Sequence, residues 1–386
     1  MILENCSYLR DARVSKEAQA LMGSGFDVVV ISPESVSVPS RMIVDKVVIY
    51  GFPSLSFPSF KWGYVLEYAY STVAIIIMTL FLCATVGFDI IHVSNPPDCL
   101  VPAMAVYKIF GKRIIYDQHD LSPELYSVIF CCSRSILLPM LYRLEQLSYS
   151  MSDHIIVTNE SYKTIAMNRG HQPHSKISVV RNGPRVRPAQ MLRSSNKGAS
   201  KPEYIIVFAG VTGYQDGLDY LCYGLASLRN ECKRDDFVCM IVGDGGALPY
   251  VKRVVCDLEL EDKIQFRGWV NDVETYWECL KSADICVSPE PSNGYNDKST
   301  FVKVMEYMSA GKPIVAFDLP ETRYTAQSAA VYVKPNDCSE FGRALATLMD
   351  DEELRRTMGT AGRERIERKL AWEYSVPALL NAYRAV

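Results

Sequence analysis

Lys298, Lys303 and Glu306 could do chemistry on an anionic, hydroxyl-bearing ligand. Lys303 and Glu306 are three residues apart, so on a helix they stand one turn from each other. Such a helix is expected, because Phe301, Val304, Met305 and Met308 fall at i, i+3, i+4 and i+7 and form one apolar face. Ser299 or Thr300 is the expected N-cap, Gly311 the C-terminal turn, and Pro313 prevents continuation. The free N–H groups at the start of this helix can take phosphate oxygens, Lys303 can add charge, and Glu306 can accept from two neighbouring ribose hydroxyls. A second constellation is Asp117-Gln-His-Asp-Leu-Ser-Pro-Glu124, where His119 stands among Asp117, Asp120 and Glu124 and could position and polarise a hydroxyl. By residue type alone, a Lys–Glu pair is as well a solvated surface pair, and a lone His a structural one.

These groups need elements to hold them. Asp284 to Ser288 reads as a strand ended by Pro289 and Pro291, and the segment after Pro313 as the next strand. Upstream, Tyr204 to Ala209 runs into the glycine-rich loop Gly210-Val-Thr-Gly213-Tyr-Gln-Asp216-Gly217, Phe237 to Val242 meets Gly243-Asp-Gly-Gly246, and Gln265 to Val270 is a further strand. A glycine-rich turn between strand and helix can bring backbone N–H groups against a diphosphate. In the first half, Ile2 to Glu4 reads as the end of a strand. A helix opens at Asp11, runs through Glu17, Ala20 and Leu21, and ends at Gly23 and Gly25. Strands follow at Val28–Ile31, Asp89 onward, Arg113–Tyr116, Asp153 onward and Ile177–Arg181. In open parallel sheets ligands gather beyond the carboxyl ends of strands, and His119 sits at such an end. Asn95 and His92 could line the acceptor side, although capping of the Pro96-Pro97 turn explains Asn95 as well.

Length and composition limit the classes. The chain has 386 residues with 48% hydrophobic content, which suits two domains, and a formal net charge of −3, which argues against nucleic acid as main partner. Its 12 cysteines are scattered, with Cys131 and Cys132 adjacent and no C-x-x-C, so neither a zinc site nor a disulfide framework is expected and a reducing cytoplasm fits. The first residues lack the apolar core of an export signal. Thr72 to Val86 is an uncharged apolar run, preceded by Phe57, Phe60, Trp62, Tyr64, Tyr68 and Tyr70. It is shorter than the roughly twenty residues of a bilayer span, and two readings stay open: a helix buried under the sheet, or one lying in a membrane interface. Ile136 to Tyr142, with Phe130, is a second apolar patch. Pro184 to Pro202, with Arg185, Arg187, Arg193, Lys197 and Lys201 and no acid, reads as an interdomain linker.

Glu306-Tyr-Met-Ser-Ala-Gly-Lys-Pro313 followed by a strand resembles the donor-site helix of retaining glycosyltransferases of family 4, and the D-x-H-D-L-x-P-E pattern resembles that family's active-site loop. The resemblance runs along nearly the whole chain. It implies an α/β GT-B fold: two Rossmann-like domains with parallel sheets facing a central cleft. The acceptor-side domain is expected at 1–183, a linker at 184–202, the donor domain at 203–369, and a helix crossing back to the first domain at 370–386. It further implies transfer of a sugar from a nucleotide diphosphate, UDP favoured, to a hydroxyl of a glycan or lipid-linked acceptor, with retention, the leaving phosphate taking the acceptor proton. The nucleotide-sugar is then a substrate; no cofactor and no metal are expected, and the protein would be cytoplasmic with peripheral contact to the inner membrane face. By the same resemblance His119 and Glu306 are catalytic, and Lys303 and Lys298 are expected to be catalytic from their charge and placement. Gly210, Gly213, Asp216, Gly217, Gly243, Trp269, Val270, Ser299, Thr300 and Phe301 bind the donor, and Asn95, Asp120 and Glu124 face the acceptor. The chain departs from the family in two places. The glycine-rich loop has Val211 or Thr212 and Asp216 where the family has an Arg and a Lys, and Lys298 stands where the first Glu of the family's E-x7-E pair would be. Lys298 and Lys303 are therefore expected to supply the missing positive charge to the diphosphate. A non-catalytic binding subunit and a nucleotide-sugar epimerase are the alternative readings.

Overall fold

The computed structural model describes residues 1–34, 41–54, 61–130, 135–186 and 203–386. Phe57, Phe60, Cys131, Cys132, Arg187, Arg193, Lys197 and Lys201 lie outside the described residues. The chain divides into two compact units, Met1–Asn182 with Glu373–Val386, and Gly183–Trp372.

In the first unit, Asp11 caps the helix Ala12–Gly23 by accepting from the N–H groups of Arg13 and Val14. Strands β1 (Val29–Glu34), β2 (Arg41–Val44), β3 (Val47–Pro53), β4 (Ile90–Ser94), β5 (Arg113–Gln118), β6 (His154–Val157) and β7 (Ile177–Val179) follow. They form a three-stranded sheet ordered β1-β3-β2 and a four-stranded parallel sheet ordered β4-β5-β6-β7. Ile2 bridges them, pairing in parallel with Ile31 of β1 and Val93 of β4. The expected first strand is thus present as a single link. The β2–β3 hairpin was not foreseen; its turn is Asp45-Lys46, both at positive φ, a conformation usually signalled by Asn or Gly.

The run Thr72–Val86 belongs to a longer helix, Lys61–Thr85, of which Leu66–Thr85 is long and apolar enough to cross a membrane. Ser71, Ile75, Thr79 and Leu82 are buried, whereas Leu66, Val73, Ile77, Leu80 and Phe81 are each more than 50% exposed. This corrects the reading of a helix buried under the sheet: the inward stripe carries hydroxyls and the outward stripe is apolar. The hydroxyls of Thr72, Thr79 and Thr85 donate to carbonyls four residues back, so these three are satisfied within the helix.

The second unit has a six-stranded parallel sheet built from β8 (Tyr204–Ala209), β9 (Phe237–Val242), β10 (Ile264–Gly268), β11 (Ile285–Ser288), β12 (Ile314–Phe317) and β13 (Ala330–Val333), in the order β10-β9-β8-β11-β12-β13. β8 lies centrally and the order reverses there, so its carboxyl end and that of β11 form the crevice where ligands of such sheets collect. The helix Val302–Ser309 buries Val304, Met305 and Met308, the expected face, against Val207, Ala209 and Cys286.

Candidate active site

In the first unit, β5 delivers Tyr116, Asp117 and Gln118 fully buried, and the chain then turns at His119. Asn95 holds this turn. Its Oδ1 accepts from the N–H groups of His119 at 2.6 Å and Asp120 at 3.1 Å, and its Nδ2 donates to the Asp120 carbonyl at 2.7 Å and to Asp98 Oδ1 at 2.9 Å. Asn95 therefore does not line an acceptor pocket: its polar capacity is spent on clamping the His119 loop and on tying the Pro96-Pro97 turn to it through Asp98. Glu124 is corrected likewise. It opens a helix, Ser122–Ile129, and receives Arg169 through two bonds of 2.6 and 3.3 Å, while Arg169 also reaches Glu145 at 2.7 Å. A carboxylate held by a forked guanidinium is a brace. Asp120 is half-buried.

Asp117 is the centre of this site. Its Oδ2 lies 2.5 Å from His119 Nε2 and 3.1 Å from His92 Nε2. Burial works to raise the Asp117 pKa, but the two imidazoles outweigh it and hold the carboxyl well below its ordinary value. His92 is pulled the other way, burial lowering its pKa. His92 Nδ1 meets the hydroxyl of Tyr383 at 2.8 Å. Glu17, 1% exposed, brings Oε2 to 3.6 Å from His92 Nε2 and neither of its oxygens has a hydrogen-bond partner. Burial, then Asp117 and Asp11, push the Glu17 carboxyl well above its ordinary pKa. Glu17, His92 and Asp117 could hold a metal, one ligand atom from each lying within 4.8 Å of the others. His119 Nε2 lies 2.5 Å from the same Asp117 oxygen, too close to be a further ligand of that ion. A cavity of about 700 Å³, lined by Met1, Phe26, Phe88, His92 and Tyr383 among others, opens at the amino ends of β1 and β4, away from the carboxyl-end loops.

In the second unit, the loops after β8, β9 and β11 meet. Gly210 has φ +155°, and a Cβ there would stand 3.0 Å from Lys303 Cε; a Cβ on Gly243, at φ +138°, would overlap the Gly210 carbonyl at 1.8 Å. Gly217, at φ +68°, would strike the Pro289 carbonyl at 2.1 Å. Gly243 and Gly217 are required by close approach of backbone to backbone, and Gly210 by its positive φ beside the Lys303 side chain. Gly213 N–H donates to Asp216 Oδ2 at 3.0 Å. Lys303 reaches from its helix into this knot, donating to Asp216 Oδ1 at 2.8 Å and to Glu290 Oε1 at 2.7 Å, with its ammonium 4.4 Å from the Phe208 ring centre. Burial opposes its charge, yet Asp216 and Glu290 together raise its pKa.

Lys303 was expected to give the diphosphate a net positive charge. It is instead 9% exposed and shared by two buried carboxylates, so the three side chains together carry one negative charge when all are ionised. The expected caps also differ. Phe301 is the N-cap and makes no side-chain cap; the Ser299 hydroxyl donates to the Tyr295 carbonyl at 2.9 Å and Thr300 reaches Glu321 at 3.3 Å. Lys298 ends a short turn, Asn296–Lys298, and is half-buried. Glu306 is half-buried and accepts from the Tyr276 hydroxyl at 2.5 Å, while Tyr307 fastens the same helix to the end of β8 by accepting from Ala209 N–H at 2.8 Å. Trp269 is 52% exposed just past β10, and Val270 packs against the cluster containing Val304 and Met305. Sequence reasoning missed Glu290, Tyr276, Glu17 and Tyr383. Glu17 did carry a signal, an acid on the same helix face as Val14, Ala18 and Leu21.

Two α/β units of this kind, each with a polar cluster at the carboxyl ends of its parallel strands, are consistent with the GT-B arrangement. The family model "Glycosyltransferase Family 4" matches residues 13–185 and "Glycosyl transferases group 1" matches residues 203–351. The chain belongs to the family 4 type of GT-B glycosyltransferases. It is 23% identical over 63% of its length to an uncharacterized glycosyltransferase of Methanocaldococcus jannaschii, and 24% identical over 54% of its length to the lipopolysaccharide core biosynthesis glycosyltransferase LpsD of Rhizobium meliloti. The matches span 63% and 56% of those relatives' own lengths. Its fold is that of the Anabaena HepE protein solved with UDP and glucose, with a TM-score of 0.70 at 15% identity, covering 100% of this chain and 99% of that one.

Proposed function

We propose that the protein transfers a sugar from a nucleotide diphosphate, a UDP-sugar by preference, to a hydroxyl of a glycan or lipid-linked acceptor. What carries this reading is the meeting of the Gly210–Gly217 loop, Gly243, Lys303 and Glu306 at the carboxyl ends of the central strands of one parallel sheet. Glu306, its carboxylate steadied by Tyr276, takes the ribose hydroxyls. The diphosphate lies against the N–H groups of the glycine-rich loop and of the helix start at Val302, with Lys298 as the nearby cation. Lys303 braces that loop through Asp216 and Glu290. By the family resemblance, His119 is assigned to the transferred sugar. The reaction is taken as retaining and independent of metal and cofactor, in line with the family resemblance. HepE was solved with UDP, and LpsD is named for lipopolysaccharide core synthesis; both support the choice of donor and of a cell-surface glycan as product. We further propose peripheral attachment to the cytoplasmic membrane face through the outward stripe of the helix Lys61–Thr85.

The test is nucleotide release from a panel of UDP- and GDP-sugars with glycan and lipid-linked acceptors. Release that requires both donor and acceptor, survives chelation and keeps the anomeric configuration is the expected result. The net negative charge around Lys303 favours a second reading, a subunit that binds without turnover. In that case a nucleotide at one hundred times its dissociation constant adds about 2.7 kcal/mol to stability, yet nothing is released. Product formed without any acceptor would identify an epimerase.

A further inference from the structure

The buried groups behind His119 are unused by the reading above, and they form a continuous chain. Tyr383, from the helix Val376–Arg384 at the far end of the sequence, places its hydroxyl 2.8 Å from His92 Nδ1 and stacks on that ring with centres 5.9 Å apart. His92 Nε2 lies 3.1 Å from Asp117 Oδ2, and the same oxygen lies 2.5 Å from His119 Nε2. Neither ring nitrogen of His119 makes a well-directed hydrogen bond: Nε2 stands close to Asp117 Oδ2, and Nδ1 has no partner. We propose that Tyr383 and His92 are positioning residues for His119, acting through the one carboxylate oxygen of Asp117 that both imidazoles share, so that His119 presents Nδ1 to a hydroxyl of the transferred sugar.

The tautomers follow from the donors. Burial keeps the Tyr383 phenol protonated, pushing its pKa well above the ordinary value, and keeps His92 neutral. A neutral His92 that accepts from Tyr383 at Nδ1 carries its own proton on Nε2, aimed at Asp117. Glu17, 3.6 Å from that nitrogen, walls off its other side. Asp117 then has one fixed donor on Oδ2, and the direction left for His119 is fixed with it. A buried polar group with no partner is the exception that asks for an explanation, and the unpartnered Nδ1 of His119 has one if substrate supplies the partner. The part concerning the sugar rests on the transferase reading; the coupling of the four side chains does not.

The experiment therefore has two arms on the full-length protein. In the first, ring nitrogen resonances of the histidines are recorded by NMR in wild type and in Tyr383→Phe, which removes one hydroxyl and little else. Both His92 and His119 signals should move; movement of His92 alone, with His119 unchanged, would overturn the coupling. In the second, turnover of the active donor is compared. Tyr383→Phe should lower kcat about tenfold with donor KM and thermal midpoint nearly unchanged. His92→Leu should lower kcat about a hundredfold, and His92→Gln, which keeps a donor for Asp117, should recover most of that loss. Wild-type kcat in Tyr383→Phe would sink the proposal. So would a stoichiometric metal ion whose removal abolishes activity, because the same atoms would then be ligands. If wild type releases no nucleotide from any sugar donor, the transferase reading has failed and the first arm still decides the coupling.

Discussion

The polar clusters of the two units are near mirror images in charge. In the first unit one carboxylate, Asp117, is shared by two imidazoles; in the second one ammonium, Lys303, is shared by two carboxylates. Each sits at the carboxyl end of a central parallel strand and each is buried. The difference is in the surplus. Around Asp117 the excess groups are imidazoles with two ring nitrogens each, so the cluster can turn a nitrogen toward a ligand. Around Lys303 the excess is a second carboxylate, so the ammonium is committed to both and acts as a brace. A cation in the sequence is thus a poor guide to a cation at a ligand. What decides is how many acids the fold brings to it.

The largest effect that could break this comparison is on Lys303. Lys303→Ala leaves Asp216 and Glu290 buried without their cation, and removing one partner of a buried pair costs about 3–5 kcal/mol. Chemical denaturation of the full chain should show a loss of that size. The triple variant Lys303→Met, Asp216→Asn, Glu290→Gln should regain most of it, because no uncompensated charge remains. A loss below about 1 kcal/mol in Lys303→Ala would mean that the ammonium is not braced as described.

Glu4 sharpens the comparison, being a buried acid with no cation beside it. It is 6% exposed, and burial, partly offset by a hydrogen bond from Ser71, raises its pKa to about 7 from an unfolded value of 4.5. A raised acid binds its proton more tightly when folded, so its contribution to stability is complete below pH 4.5 and is lost as pH rises through about 7. At 1.36 kcal/mol per unit this is up to about 3 kcal/mol. Measured between pH 5 and 8, unfolding free energy should fall with pH in wild type, and the slope should flatten in Glu4→Gln.

Asn95 tests the first unit's loop directly. Asn95→Ala strips the His119 and Asp120 N–H groups of their acceptor and should cost about 2 kcal/mol, with kcat falling further than that stability loss explains. Unchanged turnover would show that the loop holds its shape without the clamp.

These side chains also show what was legible in the sequence. The parallel strands at Tyr204–Ala209 and Phe237–Val242 and the apolar face of the 302–309 helix could be read because period and length suffice for them. His119 at a strand end and the glycines of the Gly210–Gly217 loop could be read as well, since their places follow from local geometry. The partners could not. Lys303 meets Asp216 across 87 residues and Tyr383 meets His92 across 291, and no local pattern encodes such a meeting. Asn95 was half read for the same reason: its bond across the prolines to Asp98 is local, while those that clamp the His119 loop lie more than twenty residues on. The hairpin turn Asp45-Lys46 was hidden because tertiary pairing imposes positive φ on residues that seldom choose it.

The smallest expected effect on folding belongs to the outward stripe of the helix Lys61–Thr85. Val73 and Ile77 are 57% and 60% exposed, so Val73→Asp with Ile77→Asp removes little packing and should change stability by about 0.5 kcal/mol or less. If the stripe lies in a bilayer interface, the same pair should abolish sedimentation with phospholipid vesicles, because two carboxylates would have to enter a layer of low polarity. Thr79→Val is the control: its hydroxyl faces inward and bonds the Ile75 carbonyl, so vesicle binding should persist. A protein that ignores vesicles in wild type, or that binds them equally well with both aspartates, would leave this helix as an apolar surface with some other cover. The comparison of the two units would then narrow to chemistry alone, since their sheets differ in charge surplus whether or not one of them touches lipid.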